Sequence, residues 1–160
     1  MKTLILGLGS PSQGDAHVGI EVARTLHALL EDPDVDIIEM PASGFDLLEL
    51  VAGYDKAVVV DCIRVSEGEV GELRRLGLDD LELVSKPPRG RGSEYRAKVE
   101  LARTHAGSTP REISIYAIEV GDCVVKSADL AEIMREAVPR LVAQIAREEF
   151  GATVPESDWY

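Results

Sequence analysis

The chain has 160 residues and a formal net charge of −12, from 29 acidic against 17 basic side chains. That length suits one domain that can bury a core without staples, and the acidic balance argues against nucleic acid or an anionic membrane surface as a main partner. Cys62 and Cys123 make neither a disulfide framework nor a metal spacing, no apolar run approaches the ~18 residues of a spanning helix, and no leader pattern opens the chain, so a reducing cytoplasm is the expected compartment.

Thr3–Leu6 is a continuous apolar run, as expected of a strand buried on both faces. It enters a glycine turn, Gly7-Leu8-Gly9, and a loop that delivers Asp15 to the start of a helix over 15–30. Val18, Val22, Leu26 and Leu29 form the apolar stripe of that helix. Val35–Met40 reads as a second strand, and Phe45–Leu50 as a short helix with Phe45, Leu48 and Val51 turned inward. Ala57–Asp61 is a β-branched third strand that ends on an acid.

Glu72–Leu76 follows too soon for a helical crossover, so it is expected to pair antiparallel at a sheet edge. A basic loop holds Arg89 and Arg91, and a helix is predicted over 95–104. Glu112–Ile118 alternates as a last strand. The longest helix spans 127–150, with Ser127 as N-cap, Pro139 inside it, and Ala137, Leu141 and Ile145 among its core stripe. The predicted fold is an α/β three-layer sandwich: a mostly parallel sheet of about five strands, helices on both faces and one antiparallel edge strand. Residues 1–150 form the domain and 151–160 a polar tail.

The Gly7-Leu8-Gly9 turn invites a dinucleotide reading, with Glu39 placed where a ribose-binding acid would stand. Ser12 occupies the third glycine position, however, and Asp15 opens the helix where pyrophosphate needs bare N–H groups. A nucleotide-binding module is therefore the minor alternative. Asp15 and Asp61 are both expected at the carboxyl edge of the sheet, on neighbouring strands, where two carboxylates can share a cation or divide acid and base roles. His17 stands beside Asp15, and Arg89 and Arg91 can anchor an anion or carboxylate. His27, in mid-helix, reads as structural.

Taken in order, these blocks resemble the hydrogenase maturation protease family. The opening from Gly7 through Pro11 to Asp15 and Gly19 is similar to the family's glycine-loop signature. Met40–Leu48, Val58–Ile63 with Gly68 and Gly71, and the strand at 113–118 are similar to its later blocks. The resemblance implies a cytoplasmic endopeptidase that trims the C-terminus of a [NiFe] hydrogenase large subunit after nickel insertion. The nickel belongs to the substrate. It implies Asp61 as nickel ligand or catalytic base; Asp15, as a second catalytic acid, and His17, as a nickel ligand, are the candidate substitutes for a lost loop ligand, with Ser43, Gly44, Arg89 and Arg91 expected to contact the substrate. Two family ligands are missing: Ala16 stands where the first-loop acid belongs, and Arg89–Gly92 contains no histidine. The second alternative is therefore a non-catalytic checkpoint protein that binds hydrogenase on the same fold.

Overall fold

The structure, a computed structural model, describes residues 1–9, 18–41, 50–64, 73–76, 110–120 and 128–154. The elements in order are β1 (Thr3–Gly9), α1 (Val18–Leu30), β2 (Val35–Pro41), β3 (Lys56–Arg64), β4 (Leu73–Leu76), β5 (Glu112–Val120) and α2 (Ala128–Phe150). The strands form a sheet in the order β2-β1-β3-β5-β4. The β2–β1, β1–β3 and β3–β5 pairs are parallel, and β4 runs antiparallel to β5 at the edge. The antiparallel edge follows from chain length, because a parallel return needs a crossover that the short β3–β4 connection cannot supply.

Side chains alternate between two cores, as the pleat requires. On one face Ile5, Val58, Val60, Tyr116 and Ile118 meet α1 and α2 through Val22, Leu26, Leu141 and Ile145. On the other, Leu4, Leu6, Leu8, Ala57, Val59, Ile115 and Ala117 pack with Val51, which belongs to the helical pair 50–51. Both faces are buried over Leu4–Leu6 and Ala57–Val60, which explains the apolar runs there. The predicted stripe of α1 holds, with Val18, Val22 and Leu26 buried and Leu29 packed at its margin. Ala152 and Val154 also pack against the first core. The helix predicted over 95–104 lies outside the described residues, as does most of the one at 45–50.

His27 Nε2 lies 3.0 Å from the carbonyl oxygen of Val35. A carbonyl only accepts, so Nε2 carries the proton, and the structural reading of His27 stands. Among the described residues no helix is long and apolar enough to cross a membrane.

Candidate active site

The strand order reverses at β1: the chain passes through α1 to β2 on one side, and β3 lies on the other. Open α/β sheets bind ligands outside the carboxyl ends of the strands at such a switch point. The register locates the opening. β1 and β3 pair from Thr3↔Lys56 to Gly7↔Val60, where their pairing stops. Beyond it β1 follows β2 to Gly9↔Pro41, while β3 follows β5 to Arg64↔Val120. The two strands fork, and Asp61 is the first residue of β3 past the fork.

Asp61 is 2% exposed. It alternates onto the face of Ala57 and Val59, with Ala117 beside it in register. The sequence places this carboxyl at the last residue of its strand, on a solvent-facing edge. That expectation is corrected: β3 continues through Arg64, and Asp61 is buried within it. An ionised carboxylate at such depth persists only with hydrogen-bonding or cationic partners, and it is also where a charge acts most strongly on a reacting group.

Asp15, His17, Ser43, Gly44, Arg89 and Arg91 lie outside the described residues. The segment that carries Asp15 and His17 joins α1 at Val18. Among the described residues no group of three or more His, Cys, Asp or Glu could hold a metal ion.

Glu39 lies in β2 beside Gly7, two residues before the strand ends. Arg24 of α1 donates to both its oxygens, Nε to Oε1 at 2.8 Å and Nη2 to Oε2 at 2.8 Å. A ribose would have to displace this two-pronged pair, so the acid that invited the dinucleotide reading is already engaged. The carboxylate also pushes the Arg24 pKa up, mainly through its hydrogen bond.

A second polar constellation, which the sequence gives no hint of, lies at the opposite, amino end of the sheet. Lys56 at the start of β3 is 6% exposed. Its Nζ lies 2.8 Å from Glu149 Oε2 and donates to the Glu149 carbonyl oxygen at 2.7 Å. The Tyr116 hydroxyl donates to Glu149 Oε1 at 2.7 Å, with Glu148 Oε2 at 3.0 Å. Arg75 of β4 reaches Glu149 Oε1 at 3.2 Å. Burial pushes the Glu149 carboxyl up, but hydrogen bonds from Lys56, Tyr116 and Ser114 outweigh it and hold the group below its ordinary range. Burial, reinforced by Glu149 and Glu148, pushes the Tyr116 phenol up strongly. These contacts tie β3, β4, β5 and the end of α2 to one another, so this node binds the fold together. It had no local signal, because Lys56 and Glu149 are 93 residues apart.

Comparison with known proteins follows the same lines. The family description of hydrogenase maturation proteases matches residues 20–148. Comparison with curated proteins gives no match. Among solved structures, the hydrogenase maturating endopeptidase HybD from E. coli superposes with a TM-score of 0.67 at 19% identity, covering 99% of each chain. The [NiFe] hydrogenase maturation protease HycI from Thermococcus kodakarensis KOD1 superposes with a TM-score of 0.64 at 26% identity, over 91% of this chain and 90% of that one. HybD from Thermococcus kodakarensis gives 0.65 at 21% identity, over 92% and 98%. With a family match over most of its length, the chain belongs to the hydrogenase maturation proteases and is a peptidase on their α/β fold.

Proposed function

We propose that this peptidase removes a C-terminal peptide from the precursor of a [NiFe] hydrogenase large subunit after nickel insertion. Asp61 is its central residue, as a ligand to the substrate's nickel or as the base that orients the attacking water. The observation that carries this reading is a buried carboxylate at the switch point of a parallel sheet, one residue past the fork of β1 and β3. Asp15 and His17, just ahead of α1 in sequence, stand in for the acid lost at Ala16, and Ser43, Gly44, Arg89 and Arg91 contact the substrate. The chain's own metal affinity is then weak, since the nickel arrives bound to the substrate.

Ala16 and the absence of histidine from 89–92 favour a second reading, a non-catalytic hydrogenase-binding checkpoint. Asp61→Asn separates the two. The amide keeps the carboxylate's shape but cannot accept a proton or hold a cation as strongly. Release of the C-terminal peptide from nickel-loaded precursor is expected with the wild type, and is expected to fall by roughly 10²–10⁴ in the variant, as for loss of a general base. If neither version cleaves and both bind the precursor equally, the checkpoint reading holds instead.

A further inference from the structure

We infer that Gly19 is a positioning residue for the reaction: its missing side chain lets the first turn of α1 sit inside the β1–β3 fork and sets the distance between that helix start and Asp61. This deepens the protease reading and rests on it for the role of Asp61. A methyl group built on Gly19 would lie 2.5 Å from the Leu8 carbonyl oxygen, 3.0 Å from the Val60 carbonyl oxygen and 3.5 Å from Asp61 Cα. Leu8 and Asp61 are the first residues beyond the last paired register on each strand. The helix therefore touches both prongs of the fork through one Cα. The atoms it meets are backbone, so no neighbouring side chain can move aside for it.

One turn further on, the same helix rests on Gly7. A methyl there would lie 2.8 Å from Ala23 Cβ and 3.2 Å from Ile20 Cα. Here the nearest obstacle is a side chain, with the Gly19 carbonyl oxygen behind it at 3.4 Å, and that difference makes the idea testable by transfer. Gly7→Ala should lift α1 from the sheet. Adding Ala23→Gly removes the opposing methyl and should let the helix settle back. The double variant is expected to be less stable, because glycine inside a helix is destabilising, yet more active than Gly7→Ala. A purely structural role predicts the reverse, with activity following stability.

The experiment measures kcat and KM per folded molecule for peptide release from nickel-loaded precursor, well below each variant's unfolding midpoint. Gly19→Ala is expected to lower kcat at least tenfold with KM changed less than threefold. Gly7→Ala should show a smaller loss, and Gly7→Ala/Ala23→Gly should recover at least twofold of it, the backbone contact to Ile20 Cα remaining. Gly19→Ala retaining kcat within twofold overturns the proposal. If Gly19→Ala does not fold, the Gly7 pair decides: rescue supports it, and activity that tracks stability overturns it. Amide hydrogen exchange supplies a readout free of cleavage. Faster exchange at Val60 and Asp61 in Gly19→Ala, with β5 unchanged, supports the placement, and unchanged exchange overturns it. A wild type that cleaves nothing refutes the protease reading, and the exchange result then decides the placement alone.

Discussion

Lys56 is held on every side. It pairs with the Glu149 carboxylate, donates to the Glu149 carbonyl and lies 5.4 Å over the Phe150 ring. The Glu149 side chain is 2% exposed. Taking two charges out of water is expensive, so such a pair contributes little net stability over an apolar substitute, but losing one partner strands the other. Lys56→Met is therefore expected to cost roughly 3–5 kcal/mol. Lys56→Met combined with Glu149→Leu should recover most of that loss. Tyr116→Phe removes one hydrogen bond to a charged group and should cost about 1.5–3 kcal/mol. Urea unfolding near neutral pH gives all three values. Lys56 stands at the amino end of the sheet and Asp61 past the fork at the other end, so kcat per folded molecule should not change in the two Lys56 variants; Tyr116 pairs with Val60, one register step from Asp61, and links the two. A kcat loss in Tyr116→Phe would show that the two ends are coupled.

The two described helices end differently, and the difference has a sign that can be tested. After α2 the chain turns at Gly151, φ 63°, and the amides of Gly151 and Ala152 return to the carbonyls of Arg147 and Ala146 at 3.2 and 3.1 Å. After α1 the left-handed position falls on Glu31, φ 44°. An L side chain there costs about 1–2 kcal/mol. Gly151→Ala has open space around it, so its expected loss of about 1–2 kcal/mol is backbone strain alone. Glu31→Gly relieves the same strain against a higher unfolded-state entropy and should gain about 0.5 kcal/mol. Thermal unfolding with both variants checks the opposite signs. At this scale the sequence is a good guide. Thr3–Leu6, Val35–Met40, Ala57–Asp61 and Glu112–Ile118 all fall within observed strands, because hydrophobic pattern and β-branching act locally. The edge strand followed from connection length. What was not legible is how far strands run once paired. β3 extends to Arg64 because β5 is there to bond it, and Asp61 lies inside the strand and not at its end. The chain position of Asp61 was readable, but its depth was not, since Ala117, the β5 residue beside it, is far away in sequence.

Across the whole molecule, two electrostatic terms oppose each other as pH falls. The net charge of −12 repels itself, and protonating surface carboxylates relieves that repulsion. Glu149 works the other way. Its carboxyl is held below the ordinary range by Lys56, Tyr116 and Ser114 and lies close to Arg75. The folded state therefore binds fewer protons than the unfolded chain in the window between the two pKa values. Stability from this group is fully present above the unfolded value, about 4.3 for Glu, and is lost as pH falls through the folded value. Glu148 also faces the Tyr116 hydroxyl, and Glu112 approaches Lys56 at 3.8 Å. Salt separates the terms. At ~1 M the Debye length is about 3 Å, which screens the exposed charges but hardly reaches a buried pair. Added salt should raise stability near neutral pH while leaving the steep loss below about pH 4.3 in place. In Glu149→Gln that acid limb should flatten at either salt concentration, and stability near neutral pH should drop. Urea midpoints from pH ~3 to ~7 at low and high salt test this. An acid limb that persists unchanged in Glu149→Gln would assign acid unfolding to the other carboxylates, and the Lys56 node would then hold the fold without sensing pH.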